Sequence, residues 1–459
     1  MTATLDASSA ERREFLSSLC KIALPIALQN LVGSSVNMLD TIMVGQLGAA
    51  PLAAVGLANQ VFFLLMLFIF GVASGGGVFT AQYWGKRDLA GVRKSFGLSL
   101  AAGLAAGLGF SLASFLAPEA LVGLYSRDAE VVALGGRYLR IASLSFLPSA
   151  ASMVLGFTLR GVERVRLPLV STTVSLVLNA FLNWVLIFGK LGLPAMGVEG
   201  AAWATLASRL VELLVIYSVA YARRYPPAGG LRELSAWGGG WGFRFAAVVL
   251  PVVVNEVAWS LGITAYNAAF GRMGTGAIAS YNVVNTVNQL AMVLSFGTAN
   301  AAAVLIGKRI GEGRRDLARA YARRFAVLAP ALGLAVGLLL LPVRGLLPLL
   351  FRLEPEVLAE ASRLLLVLAA CVPFRVLNLH VAVGICRAGG DTRFGMLMDL
   401  GGVWGLGVPL AFLGAFAWGL PAWAVFLLTQ VEEVAKSFVG IWRLASGRWA
   451  RDVTGRAAA

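Results

Sequence analysis

Residues 22–85 contain a single charged side chain, Asp40, and this long apolar run restricts the fold more than any motif does. Crossing about 30 Å of hydrocarbon in a helix takes roughly 20 apolar residues. A helix suits that environment because it satisfies its own backbone N–H and C=O groups. Comparable stretches recur at 19–45, 51–82, 92–117, 129–159, 166–189, 197–222, 244–270, 277–307, 320–343, 356–386, 394–416 and 420–445. They predict an all-α membrane protein with twelve transmembrane helices. Composition agrees: 58% of the 459 residues are hydrophobic and 13% are charged, against about a quarter charged in soluble domains. The start, MTATLDASSAERRE, is polar and carries both charge signs. The apolar run after it is too long for a signal-peptide core, so no cleavable leader is expected.

The net charge of +15 does not point to nucleic acid, because its distribution follows the membrane. Lys and Arg gather in alternate loops: Lys86, Arg87, Arg93 and Lys94; Arg160, Arg164 and Arg166; Arg223, Arg224 and Arg232; and the run from Lys308 to Arg324. The intervening VGQLGAAP (44–51) and the GL between the last two stretches carry none. Basic loops stay on the cytoplasmic side. Both termini then fall in the cytoplasm, which requires an even number of crossings and fits a multi-pass protein of the plasma membrane (the inner membrane of a two-membrane cell). Cys20, Cys371 and Cys386 are odd in number and sit in apolar runs, so they read as packing residues.

The chain also repeats itself. PIALQNLVGSSVNMLDTIMVGQLGAAPLAAVGLANQ (25–60) aligns without a gap on residues 251–286, a shift of 226. Pro25 falls on Pro251, Gly45 on Gly271, Gly48 on Gly274 and Asn59 on Asn285. Gly71 falls on Gly297 further along, and the shift then grows by two: RDLAGVRK (87–94) meets RDLARAYA (315–322). Later still, Val211 and Glu212 correspond to Val431 and Glu432. A shift of six stretches leaves both halves in one orientation, as in parallel transporter repeats that place a site between them. The expected division is residues 1–222, a basic cytoplasmic linker at 223–243, and residues 244–459. The expected fold is two pseudo-symmetric six-helix bundles.

These residues resemble a known family. PIALQNLV with VNMLDTIMVGQLG, the Gly-rich end of the second stretch, LRG at 159–161 and GAAWAT at 200–205 are similar to the multidrug and toxic compound extrusion (MATE) transporters. The similarity runs over about residues 15–445. It implies a pair of six-helix bundles that export organic cations in exchange for sodium or protons. The family's first-helix Asp falls on Asp40, its fifth-helix Asn on Asn179 and its sixth-helix Thr on Thr205. Asn183 stands where some branches have a second Asp, so the pattern is closer to the sodium-coupled branch. That branch's seventh-helix Glu corresponds approximately to Glu256. Its tenth-helix acid has no counterpart, because Arg375, Asn378 and His380 occupy the region.

An ionised Asp at the centre of a membrane helix costs roughly 2.5–3.5 kcal/mol on insertion scales. Such a group faces a cavity, pairs, or takes up a proton. Helical rise puts Asp40, Asn183 and Thr205 about 7, 9 and 12 Å below the outer ends of their helices. Asn179 and Asn183 share a face at i, i+4. A carboxylate among amide and hydroxyl oxygens suits a hard cation such as sodium; the same group suits a proton, or a hydrogen-bonded packing network. Arg209 with Glu212 and Glu432 with Lys436 have spacings for internal pairs. Glu256, beside Asn255, has no partner in its own helix and is the C-terminal candidate for a cationic substrate or a second proton. Asp399, near Arg387, Asp391 and Arg393, reads as structural or as part of an inner gate. His380 reads as packing or as a relay. Asn282, Asn285 and Asn288, with Asn59 at the repeat-equivalent position of Asn285, form polar stripes expected to line a cleft, since amides facing lipid are costly.

The expected function is a cation-coupled antiporter acting as a monomer on small organic molecules, with Na+ or H+ as coupling ion and no other cofactor. A lipid-linked oligosaccharide flippase of the same superfamily is the alternative. It would need more unpaired bases for pyrophosphate than Arg209, Arg375 and Lys436 supply. No HExxH, GxSxG or Walker sequence is present, which argues against an enzyme or an ATP-driven pump.

Overall fold

The computed structural model describes residues 2–351 and 353–455, and no strand occurs among them. The main helices are α1 (Thr2–Gly45), α2 (Ala49–Gly85), α3 (Leu89–Leu116), α4 (Ala129–Gly161), α5 (Arg166–Phe188), α6 (Gly197–Ala222) and α7 (Trp241–Arg272). They continue with α8 (Thr275–Ala291 and Val293–Gly311, bent by 47° between them), α9 (Arg315–Leu350), α10 (Pro355–Cys386), α11 (Thr392–Ala417) and α12 (Ala422–Ser446). Among the described residues ten helices are long and apolar enough to cross a membrane, and the bent α8 makes eleven. The protein is therefore a multi-pass, all-helical membrane protein. Helix α12 is long enough to cross but carries Glu432, Glu433 and Lys436 within five positions.

Local chemistry explains the helix ends. Asp88 caps α3 by accepting the Gly91 N–H at 2.9 Å, and Asp128 caps α4 by accepting from Glu130 and Val131, each satisfying an N–H the helix cannot. Gly48 and Gly274, equivalent in the repeat, precede α2 and α8 with φ of 120°, a conformation open to glycine and strained for other residues.

Packing divides the chain into two compact units, one made of α1 up to Ala27 and everything from Val254 onward, the other of Leu28–Val253. The chain changes unit inside α1 and inside α7, two residues after Pro25 and Pro251 respectively. The two crossing points are equivalent in the repeat. So are the contacts that accompany them. A Cβ on Gly71 would come within 2.7 Å of the Val253 backbone, and a Cβ on Gly297 within 2.7 Å of the Ala23 carbonyl and 3.1 Å of the Ala27 nitrogen. Small residues that let helix backbones touch are how membrane helices gain contact where lipid offers no hydrophobic drive. In the 28–253 unit Leu65, Ile69, Phe96, Phe146, Val154 and Leu155 form a fully buried core. In the other unit Gly333 and Gly337 admit the α10 backbone at Pro373 and Ala369.

Residues 223–243, expected as a linker, lie within the 28–253 unit. The short helix Leu231–Leu234 packs on α3, and Leu234 and Trp241 are buried. Glu233 accepts the Gly230 N–H at 2.8 Å and pairs with Arg93. The Gly230 hydrogen bond first, then the guanidinium, holds this carboxyl below the usual Glu range. The latch is thus complete at neutral pH and is lost as pH falls through that lowered value. A Cβ on Gly97 would come within 2.7 Å of the Leu234 carbonyl carbon and closer still to its oxygen. Gly97→Val should therefore cost about 1–3 kcal/mol by overpacking, read as a lower unfolding midpoint in detergent. Gly77→Val, where a Cβ meets nothing within 4 Å, should leave the midpoint unchanged.

Candidate functional site

A cavity of about 600 Å³ opens inside the 28–253 unit, and Asp40 is on its wall. Helix α1 brings Asp40, α2 brings Asn59 and Gln60, α4 brings Tyr138, α5 brings Asn183, and α6 brings Thr205 and Arg209. Leu139, Phe62, Phe63, Met66 and Phe146 supply an apolar remainder. Asn183 Nδ2 donates to Asp40 Oδ1 at 2.7 Å. Asn179, with its amide nitrogen turned toward Asp40, donates to both carboxylate oxygens at 3.0 Å. That orientation is chosen because it satisfies both partners. The i, i+4 spacing of the two amides is what lets one carboxylate take both. Both are buried, at 5% and 2% exposure. Asn183 Oδ1 is left as a buried acceptor without a donor.

Thr205 lies in the same cavity, but its hydroxyl donates to Ala201 O in its own helix at 3.0 Å. The Tyr138 hydroxyl, beside Thr205, donates to Asn59 Oδ1 at 3.3 Å. Three of the four expected coupling residues, Asp40, Asn179 and Asn183, thus form one hydrogen-bonded group, with Thr205 on the same wall. Among the described residues, the direct bonds to the carboxylate come from neutral amides. The base in the cavity, Arg209, is held at 2.7 Å by Glu212.

The C-terminal candidates are differently placed. Glu256, which has no partner in its own helix, is bound by Arg387 at 2.8 Å, so a guanidinium already supplies positive charge there. Asn255 donates to Asp399 at 3.1 Å. Asp399 itself lies 3.8 Å from Lys436, while its expected neighbour Asp391 pairs with Arg443 and Arg451. Asn378 donates to the backbone and side chain of Glu433, both at 2.7 Å, and accepts from Ser437. His380 is fully buried between the Val376 carbonyl, 2.8 Å from Nδ1, and Thr298 Oγ1, 3.0 Å from Nε2, the packing arrangement. Asn282 is exposed, Asn285 bonds Tyr281, and Asn288 Oδ1 is buried without a donor.

The MatE family model matches residues 25–185 and again 251–413, the two halves of the repeat. The chain belongs to the MatE family. Its members are transporters and not enzymes, and so is this MatE protein. A probable multidrug resistance protein NorM from Rhizobium meliloti is 32% identical over 413 residues, covering 87% of this chain and 86% of that one. The multidrug resistance protein PmpM of Pseudomonas aeruginosa is 27% identical, covering 93% of each. Among solved structures, an outward-facing multidrug resistance MATE transporter of the MOP superfamily superposes with a TM-score of 0.85 at 21% identity, over 94% of this chain and 96% of that one. A mutant of the Vibrio cholerae MATE transporter VcmN gives 0.87 at 17%, over 96% and 98%. At these identities the structures speak for the fold.

Sequence reading missed a chain of contacts behind the MatE cavity. Arg160 donates to Gln29 Oε1 at 2.6 Å, Gln29 to Thr172 at 2.9 Å, and Thr172 to Glu212 at 2.8 Å, with Glu212 meeting Arg209. Gln29 was detectable, with Asn30 beside it, as an amide early in an apolar helix; Thr172 gave no signal. Arg160 is half-buried, its guanidinium carbon 4.7 Å from the Phe157 ring centre. Gln29→Leu should leave that guanidinium short of an acceptor, at a cost of about 1.5–3 kcal/mol, seen as a lower unfolding midpoint. Gln29→Glu keeps the acceptor for Arg160 but loses the donor to Thr172, so its midpoint should fall less than that of Gln29→Leu.

Proposed function

We propose that this MatE-family transporter is a cation-coupled antiporter that exports amphipathic organic cations, with Asp40 as the group the coupling ion neutralises. The single observation that carries this reading is a carboxylate on the wall of a drug-sized cavity whose direct hydrogen bonds, among the described residues, come from neutral amides. A fixed base beside Asp40 would cancel its charge permanently. Amides hold it without cancelling it, so a mobile cation can bind and leave. A cavity of this size with apolar walls and few polar groups is typical of small-molecule sites, and its Phe and Tyr rings add a surface that attracts organic cations. The relatives named as multidrug resistance proteins support the same substrate class.

The shared chemistry at Asp40 is neutralisation of one negative charge, by a proton or by sodium. A proton on the carboxyl turns it into a donor for the open Asn183 Oδ1; a sodium ion takes the same oxygen once the amides rotate. Each positive charge entering along the membrane potential contributes about 2.3 kcal/mol per 100 mV. The protein then alternates between states open to either side of the membrane. We further read twelve crossings in two six-helix bundles, with both termini cytoplasmic. Loop charge supports this, and so do the internal partners of Lys436 on α12. A flippase for pyrophosphate-linked lipids fits less well, because Glu212 already occupies the cavity's arginine.

The test is uptake of a fluorescent organic cation into proteoliposomes, driven in one arm by a sodium gradient and in the other by a pH gradient. Wild type should respond to one of them. Asp40→Asn should fall to the protein-free leak in that arm while keeping its unfolding midpoint. Normal gradient-driven uptake by the variant would show that Asp40 is a packing residue.

A further inference from the structure

Among the described residues, Arg209 is the one base that lines the Asp40 cavity. It stands one turn from Thr205 on the same face of α6, at i, i+4, and its charge acts on Asp40 and Tyr138. Side chains of a helix lean toward its N-terminus, so an unheld Arg209 would lean toward Thr205 and the carboxylate. It is held from the opposite direction. Nη1 donates at 2.7 Å to Glu212 Oε2, which belongs to a residue one turn nearer the C-terminal end of α6. Glu212 is buried, at 7% exposure, and is not part of the cavity wall. The base is therefore on the wall and its acid behind it.

Glu212 is itself fixed by a directional relay. Arg160, at the end of α4, has donors and no acceptor, and it takes Gln29 Oε1 at 2.6 Å. That turns the Gln29 amide nitrogen to Thr172 Oγ1, at 2.9 Å. The hydroxyl has a single proton and directs it to Glu212 Oε1, at 2.8 Å. Both Glu212 oxygens are then engaged, and α4, α1 and α5 all contribute to holding an acid that α6 carries. Neutralising Arg209 would require none of this. Asp40 is an acid on the same cavity wall and, among the described residues, is bonded by amides alone. The fold gives Arg209 a second acid and keeps the first one open.

We propose that Glu212 is a positioning residue for coupling: it keeps the Arg209 guanidinium off Asp40, so that the Asp40 charge stays available to a mobile cation. The inference rests on the role proposed above for Asp40 and names the device that protects it. Without Glu212, Arg209 becomes a tethered cation in the place of the coupling ion. Asp40 is then neutralised by a group that cannot leave, and exchange stops although every residue that bonds the carboxylate is still present.

The test reads Asp40 itself and not transport, so its failure is distinct from normal uptake by Asp40→Asn, which would sink the coupling role. Full-length protein in lipid vesicles is treated with dicyclohexylcarbodiimide, which modifies protonated carboxyls in apolar surroundings, and the Asp40 peptide is quantified by mass spectrometry. At the pH where wild-type Asp40 is labelled at half its maximal rate, Glu212→Gln should be labelled about tenfold more slowly or less, because an adjacent guanidinium holds a carboxyl ionised. Adding Arg209→Gln to Glu212→Gln should restore the wild-type rate. Arg209→Gln alone breaks the same ion pair but should be labelled at least as fast as wild type, whereas a merely structural pair would give the same change from either side. Thr172→Val keeps both charges, loosens only the clamp on Glu212, and should fall between wild type and Glu212→Gln. Wild-type labelling in whichever of Glu212→Gln and Thr172→Val folds, or slowing by Arg209→Gln as large as by Glu212→Gln, would overturn the proposal.

Discussion

A carboxylate inside a bilayer is held by what touches it, and in this protein the hydrogen bonds from Asn179 and Asn183 to Asp40 are the contact on which the polar wall of the cavity depends. They require α1 and α5 to lie within side-chain reach and to present the right faces. On the α5 side, the neighbouring α6 is set by close approach: a Cβ on Gly200 would come within 2.6 Å of the Leu186 carbonyl. The same bonds leave the charge of Asp40 unbalanced. Satisfying a carboxylate's lone pairs and cancelling its charge are separate things, and only the first is done here by directly bonded groups.

The C-terminal half treats its acids in the opposite way. Glu256 is met by Arg387 and Asp391 by Arg443 and Arg451, while Lys436 is shared among three carboxyls. At Glu256 and Asp391 a fixed base already holds the acid, so an arriving metal cation would have to displace a covalently tethered one. Breaking a buried pair of this kind commonly costs about 3–5 kcal/mol. Two halves with matching backbone features, such as the Gly48 and Gly274 turns and the Gly71 and Gly297 contacts, therefore carry different electrostatics on one scaffold.

Much of this was legible in the sequence, for physical reasons that differ by feature. The helices were visible because length and apolarity are imposed by the membrane on each segment separately; even α12, whose Glu432, Glu433 and Lys436 dilute its apolar signal, was bounded to within two residues by its flanks. The repeat was visible because Pro and Gly punctuation survives where side chains differ. Asp40 stood out by isolation. The exchange of helix ends at Ala27 and Val253 was not visible, because it is decided by contacts between residues far apart, such as Gly71 with Val253. The pairing of Glu256 with Arg387, 131 positions away, was hidden for the same reason. Helical spacing finds partners three or four residues apart and is blind to those on another helix, so the Arg387 partner of Glu256 and the Gln29–Thr172–Glu212 chain went unseen.

The replacement of Asp40 by Tyr266 at the equivalent position sharpens what a carboxylate needs in this fold. Asp40 has Asn179 opposite it; Tyr266 has Gly407, and the room left by the missing side chain is filled by the tyrosine hydroxyl reaching toward Glu432. Both halves keep an acid in the last helix of the repeat, Glu212 and Glu432, while the helix that bears the amides in one half bears glycine in the other. Tyr266 and Glu432 are both buried. A phenol cannot take up a metal cation as a carboxylate among amides can. Side-chain exchange at two equivalent positions, Asp40 to Tyr266 and Asn179 to Gly407, thus replaces a carboxylate held by amides with a buried phenol on one scaffold, while Glu212 and Glu432 keep an acid in the last helix of both halves.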